Sequence, residues 1–277
     1  MTTAGYVHGY SPDEAHRLRE QADTLAGLLH DGTAYPAGSR VLEVGCGVGA
    51  QTVHLLTHSP GAELVAADIS AASLALAQAR VREQCPGARV EWCRADLFDL
   101  PFPDASFDHV FVCFVLEHLR DPLRAVTCLR RLLRPGGTLT VIEGDHGTAV
   151  FHPGSAPARA VIDHLVRLQS AAGGNALIGR QLQPLLTGAG FREVVVRPRT
   201  ICADGSRPAM REGFTRDTFV AMVESVREKA LADGLTTAAD WARGVADLRR
   251  TMEDGGTFHY TFFKALAVGP AGVPRGS

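Results

Sequence analysis

The sequence predicts an α/β protein built on a doubly wound, mostly parallel sheet, and three observations predict it. Between residues 40 and 142, short apolar runs alternate with stretches of helical periodicity, the pattern of parallel strands and crossover helices. The run Arg40-Val41-Leu42-Glu43-Val44-Gly45-Cys46-Gly47-Val48-Gly49-Ala50-Gln51-Thr52 reads as a strand entering a glycine-rich turn and then a helix. The 277 residues, 45% of them hydrophobic, suffice for one large domain or a core domain with an insertion.

Composition narrows the function classes. Net charge is −2, from 28 basic and 30 acidic residues without a block of one sign, so the chain has no electrostatic footprint for nucleic acid or an anionic membrane. Small-molecule substrates become the default. Six scattered cysteines with no C-x-x-C pair suggest neither a zinc site nor a disulfide framework, and read as reduced thiols in a cytoplasmic protein. No secretory leader and no apolar run of membrane-spanning length is expected.

Taken in order, residues 1–39 form an N-terminal segment and helix. Ser11-Pro12-Asp13-Glu14 is a capping box with proline at the first helical position, and Ala15, Leu18, Ala22, Leu25 and Leu29 recur at helical spacing. The aromatics Tyr6 and Tyr10, with His8, precede it and suit either a lid or an unstructured start. Strands are expected over 40–45, 63–68, 89–94, 108–113 and 138–142, with helices over 50–58, 71–84 and 121–133. Ligands of such sheets bind at the carboxyl ends of the strands, which places the chemistry after Val44, Asp68, Arg94, Cys113 and Ile142.

Three glycines at alternate positions free the backbone for a ligand to press against its N–H groups. Gly45, Gly47 and Ala50 also satisfy the looser dinucleotide fingerprint, so two acids decide. Glu43 sets a carboxylate where a ligand ammonium fits and a pyrophosphate would be repelled. Asp68 closes the next strand about 20 residues further on, suited to a ribose diol; as alternatives, Glu43 is a surface acid and Asp68 a helix N-cap. Asp96 is placed to accept from an exocyclic amine, or to serve its own turn, beside the apolar Leu97 and Phe98. His118 ends the fourth strand region, lining the site or merely capping.

These motifs resemble the class I S-adenosylmethionine-dependent methyltransferases. The acid-led glycine motif (Glu43 to Gly49), Asp68, Asp96-Leu97, Ser106-Phe107-Asp108, Leu116-Glu117-His118-Leu119 and Leu133-Arg134-Pro135-Gly136-Gly137 match in order and spacing over residues 40–142. The resemblance implies a Rossmann-like sheet of seven strands, the last antiparallel, and S-adenosylmethionine as cofactor. It implies that Glu43 meets the methionine end, Asp68 the ribose, and Asp96 with the Leu97 backbone the adenine, with Cys113 and His118 near the sulfonium. Gly45, Gly47, Gly49, Gln51 and Ile69 complete the expected cofactor set.

Beyond residue 142 substrate choice is expected to reside. Glu143-Gly144-Asp145-His146-Gly147 puts Asp145 and His146 on a loop at the ligand edge, as proton acceptor or substrate orienter, with the carboxylate fixing the tautomer; the alternative is a loop held by local turn bonds. The core is expected over 40–198, a helical cap over 199–256 with Phe214, Phe219 and Trp241 facing substrate or packing their own helices, and the final strand over 257–270. Phe151 joins the expected substrate side. Residues 271–277 form a tail in which Val273-Pro274-Arg275-Gly276-Ser277 resembles a protease-site remnant, the alternative being a native end. The reading is a methyl transfer to a small, aromatic, natural-product-like acceptor, on carbon of an indole-type ring or on oxygen or nitrogen, and the aromatic lid also suits a homodimer contact. An NAD-dependent oxidoreductase would use the same glycines but leave Glu43 and Asp96 unexplained; a non-catalytic protein keeping the fold for assembly is the third reading.

Overall fold

The computed structural model describes residues 12–269 and 271. Tyr6, His8, Tyr10 and the Ser11 cap lie outside the described residues. An eight-stranded sheet forms the centre, in the order β3-β2-β1-β4-β5-β8, with β7 pairing the far side of β8 and the short β6 pairing its end. The strands are β1 (Arg40–Val44), β2 (Glu63–Asp68), β3 (Val90–Arg94), β4 (Phe107–Cys113), β5 (Leu133–Gly144), β6 (Val150–His152), β7 (Arg192–Ala203) and β8 (Thr257–Val268). β1 to β5 pair in parallel, while β8 runs antiparallel to β5, β6 and β7.

Seven strands were expected, and the eighth is β6, whose three residues pair Val150 with His259 through His152 with Thr257. So short an edge run carries no period to read. β7 passes the expected end of the core at residue 198 and continues to Ala203, since β8 is long enough to pair it there. β5 likewise starts early, at Leu133, with a bulge that absorbs the Arg134-Pro135-Gly136-Gly137 turn.

Two apolar layers cover the sheet because each strand alternates. Leu42, Val44, Val110, Val112, Leu139 and Val141 share one core, under α4 (Pro122–Leu132) and the helix Leu182–Gly188. Val41, Phe111, Cys113 and Ile142 share the other, under α1 (Pro12–Leu29), the helix Ala156–Ala171 and the helices between β7 and β8. Caps start the helices where sequence chemistry requires them: Asp121 accepts the Arg124 amide at 2.9 Å ahead of Pro122, and Ser155 accepts the Ala158 amide at 3.2 Å.

The segment between β7 and β8 opens with a helical turn, Pro208–Met210, that runs into a π-helical stretch, Arg211–Val220, followed by the α-helices Ala221–Ser225, Arg227–Ala232 and Ala238–Arg250. The wide turn sets Phe214 and Phe219 with ring centroids 6.2 Å apart, both against Tyr260 of β8. α1 packs on this stretch, and Gly213 allows the approach: a Cβ there would lie 2.5 Å from the Thr24 hydroxyl. The carboxyl end of α1 is tied down by Lys264 of β8, whose Nζ donates to the Leu29 and Asp31 carbonyls at 3.0 and 2.7 Å and to the Thr33 hydroxyl. No helix among the described residues is long and apolar enough to cross a membrane.

Beneath α1, His30 is buried, stacked on Phe111 at 5.6 Å and bonded to Gln51 at 2.7 Å. Burial is the main cause that lowers its pKa to about 4, with His54 and His58 adding to the effect. The unfolded chain takes up this proton near pH 6.5 and the folded one only near 4, so stability is full above 6.5 and declines as pH falls through that window. Denaturant titrations between pH 7 and 4 should show a loss on the order of 3 kcal/mol from this group, with a shallower slope in His30→Phe; an unchanged slope in that variant contradicts the assignment.

Candidate active site

The three glycines of the turn have separate jobs, which their surroundings distinguish. All three have positive φ, at +70°, +52° and +75°. A Cβ on Gly49 would sit 2.9 Å from the Ala77 backbone of α3 (Ala71–Gln84), so this glycine permits the helix packing. A Cβ on Gly45 would strike the Val115 side chain at 2.5 Å, and this glycine lets the loop after β4 come close. Around Gly47 nothing lies within 4 Å of that point, so its backbone is approachable from outside, as a pressed ligand requires.

Asp68 links that turn to the next. One carboxylate oxygen accepts the Gly47 amide at 2.9 Å and the other the Ser70 amide at 2.8 Å, so each keeps a lone pair for a further donor. Burial raises its pKa, against the pull of those amides. Ser70, and not Asp68, caps α3, accepting the Ser73 amide. Ile69 stands 43% exposed beside it, an apolar side chain facing solvent at the same edge. Asp96 accepts the Phe98 amide at 2.9 Å as its turn demands, and Leu97 is half-buried there. These residues fit an adenosyl group: an open glycine backbone, an acid with spare lone pairs and an exposed apolar face.

Glu43 is buried under the turn and accepts from the Thr52 hydroxyl at 2.6 Å. Desolvation, with Asp68 as a like charge nearby, pushes its pKa up to about 8. Gln51 is spent on His30. Cys113 is buried at the end of β4, its thiol pushed up by burial and by the Glu143 carboxyl.

The second half of the site is a cavity of ≈ 50 Å³. Arg17, Leu18 and Gln21 of α1 line it with Phe214, Thr218 and Phe219 of the π-helical stretch, Met222 of the helix after it, Phe114, Glu117 and His118 of the loop after β4, Gly144 at the end of β5, His146 beyond it, and Tyr260 and Phe262 of β8. A larger open groove of ≈ 710 Å³, bordered by Arg40, Glu63 and Trp92, lies at the starts of β1 to β3, away from the glycine turn.

Glu143 holds the loop that walls the cavity, and sequence reading gave it no role. Fully buried, it accepts the Val115 and Leu116 amides at 3.1 and 2.8 Å through one oxygen, while the other has no partner among the described residues. Burial, then the neighbouring Glu117, drives its pKa well up. The clamp follows Phe114, a non-glycine residue at φ +57°, a left-handed conformation that costs about 1–2 kcal/mol. The clamp thus fixes Phe114 and Glu117 at the cavity. Gln169 donates to the Glu117 carboxylate at 3.3 Å and to its carbonyl at 3.1 Å, and His118 lies 3.6 Å from it.

His146 is where the loop reading placed it, but its partner differs. Asp145 is committed to Arg180, with both oxygens on the guanidinium, and to the Gly147 amide at 3.0 Å. The expected carboxylate does not hold the imidazole; Tyr260 does, with its hydroxyl 2.7 Å from Nδ1. Desolvation lowers the His146 pKa, so the ring is neutral near pH 7. Phe214 and Phe219 face the cavity, whereas Trp241 is buried beside His164 and Phe151 stacks on Phe258 and under Arg159. Tyr260 and Phe262 were missed, although the alternation Phe258, Tyr260, Phe262 in β8 was the available signal.

A family model described as "Methyltransferase domain" matches residues 42–141. The chain is 33% identical over 145 residues to the methyltransferase GfsG of Streptomyces halstedii, covering 52% of each chain. It is 27% identical over 231 residues to the O-methyltransferase resE of Aspergillus sclerotiorum, covering 82% of each. Among solved structures it resembles the (4+2)-cyclase SpnF, with a TM-score of 0.57, 25% identity, and coverage of 90% of this chain and 81% of that one. Against GfsG and several other curated relatives the chain spans only about half to somewhat under two-thirds of the relative's length, 52% to 63%.

The state of Glu43 yields a measurable expectation. A cationic ligand placed beside it favours the carboxylate, so binding should release a proton and strengthen as pH rises from 6 toward 8. Calorimetry with S-adenosylmethionine should show up to about tenfold tighter binding per pH unit in that range, and Glu43→Gln should flatten it. Equal slopes in both proteins would remove Glu43 from the ligand's surroundings.

Proposed function

From the premise that residues 42–141 belong to the class I S-adenosylmethionine-dependent methyltransferases, we propose that this protein methylates a small, aromatic, natural-product-like acceptor held in the cavity over β5 and β8. One observation carries the reading. The ligand-suited edge of Gly47 and Asp68 is joined, through the Glu143-clamped loop, to a cavity walled by Phe114, Phe214, Phe219 and Phe262.

S-adenosylmethionine, when bound, supplies an electrophilic methyl on a positive sulfur. The chain's own part is to align and to exclude water. Gly45, Gly47, Gly49, Asp68, Ile69, Asp96 and Leu97 would hold the nucleoside, and Glu43 and His118 would face the methionine end. The aromatic wall presents flat apolar surface, which favours ring-shaped acceptors. α1 closes the cavity from above with Arg17, Leu18 and Gln21, tethered through Lys264.

A second reading has its own support, the 25% identity to a (4+2)-cyclase over 90% of this chain. On that reading the cavity would hold a diene against an alkene for ring closure, and the donor would not be consumed. Incubation with labelled S-adenosylmethionine and a panel of phenols, indoles and aromatic amines separates the two. The expected result is S-adenosylhomocysteine together with a methylated ring, and no heat of binding with NAD. His146→Ala should lower turnover about a hundredfold while leaving cofactor affinity within a factor of two or three. Acceptor conversion without loss of the methyl donor would refute methyl transfer.

A further inference from the structure

The cavity's hydrogen-bonding groups are arranged as a donor and an acceptor, and the donor is set by Tyr260. Tyr260 is fully buried, and its oxygen presses on Gly144, where a Cβ would sit 2.5 Å away. Its hydroxyl proton therefore needs an acceptor, and the atom at hydrogen-bond distance is His146 Nδ1, at 2.7 Å. A neutral imidazole that accepts at Nδ1 carries its proton on Nε2. Nε2 is buried and has no partner among the described residues, although the ring lines the cavity. An N–H buried without a partner is costly and finds its acceptor in a ligand.

We propose that Tyr260 is a positioning residue that fixes His146 as the Nε2–H tautomer, and that the acceptor is consequently an aromatic hydroxyl held between that N–H and the carboxylate of Glu117. The inference rests on the methyl-transfer reading. A phenolic oxygen accepts from His146 and donates its own proton to Glu117, so both groups are satisfied. An indole N–H only donates, and would leave the imidazole N–H unpaired. In the transfer, the oxygen's lone pair forms the bond to the methyl carbon, the carbon–sulfur pair returns to sulfur, and the hydroxyl proton passes to Glu117. Gln169 and His118 steady that carboxylate. His146 is thus a hydrogen-bond donor and not the base.

Two measurements test this. In the ligand-free, ¹⁵N-histidine-labelled protein, long-range proton–nitrogen correlation reads the tautomer directly, with His146→Gln assigning the signal. The expected spectrum has His146 protonated at Nε2 and bare at Nδ1, with Tyr260→Phe producing a mixture; a proton on Nδ1 in the wild type overturns the tautomer whatever the enzyme's activity. With 2-naphthol and S-adenosylmethionine, His146→Gln, whose amide N–H stands near the Nε2 position, should lose less than about tenfold in kcat/KM, while His146→Ala and Glu117→Gln lose about a hundredfold or more at unchanged cofactor affinity. Equal losses in the Gln and Ala variants at His146 would make the imidazole the base and refute the proposal. Methylation of indole but not of naphthol would refute the hydroxyl assignment. Absence of S-adenosylhomocysteine with every acceptor would instead refute methyl transfer, the tautomer still being judged by the spectrum.

Discussion

Carboxylates taken out of water must be given donors in exchange, and at the ligand edge of this sheet the donors are the backbone amides of the adjoining loops. Asp68 holds Gly47 and Ser70, and Glu143 holds Val115 and Leu116. Each acid stands at the end of a strand and accepts at least one amide from a loop distant in sequence, Gly47 for Asp68 and both Val115 and Leu116 for Glu143. The edge is therefore set before any ligand arrives, at the cost of burying acids whose pKa values are driven upward. The strained Phe114 persists because the two amides after it are already engaged.

The two halves of the site follow from how the strands end. On the β1 and β2 side, the chain leaves the sheet through small residues, and backbone is what a ligand would meet. On the β5 and β8 side it leaves through a long loop and an aromatic strand, and side chains are what a ligand would meet. Lys264 braces the second half, since it ties α1, which covers the cavity, to the strand that supplies Tyr260 and Phe262. The π-helical stretch contributes Phe214 and Phe219 to the same wall.

Sequence periodicity revealed the parallel core because its central strands β1, β2 and β4 carry buried apolar residues on both faces. It did not reveal β6, whose three residues depend on a partner that arrives more than a hundred positions later. The glycines, Asp68 and His146 were legible as motifs, each flagged by residue type and by its place at a strand end. The partner of His146 was not. Asp145 is its neighbour in sequence, yet the loop turns that carboxylate toward Arg180, and Tyr260 comes from a strand 114 residues away. Glu143 was passed over for a related reason: its value lies in amides of a different loop. Trp241 looked like a substrate contact by residue type alone, and packing claimed it.

The pre-set ligand edge is tested most directly by a crystal structure of the protein grown with S-adenosylhomocysteine. The account predicts the nucleoside across the ends of β1, β2 and β3, the ribose hydroxyls on Asp68 while its bonds to the Gly47 and Ser70 amides persist, and the sulfur turned toward the cavity of His146 and Glu117. A nucleoside bound elsewhere, or an Asp68 that must abandon both amides to reach it, would contradict the account.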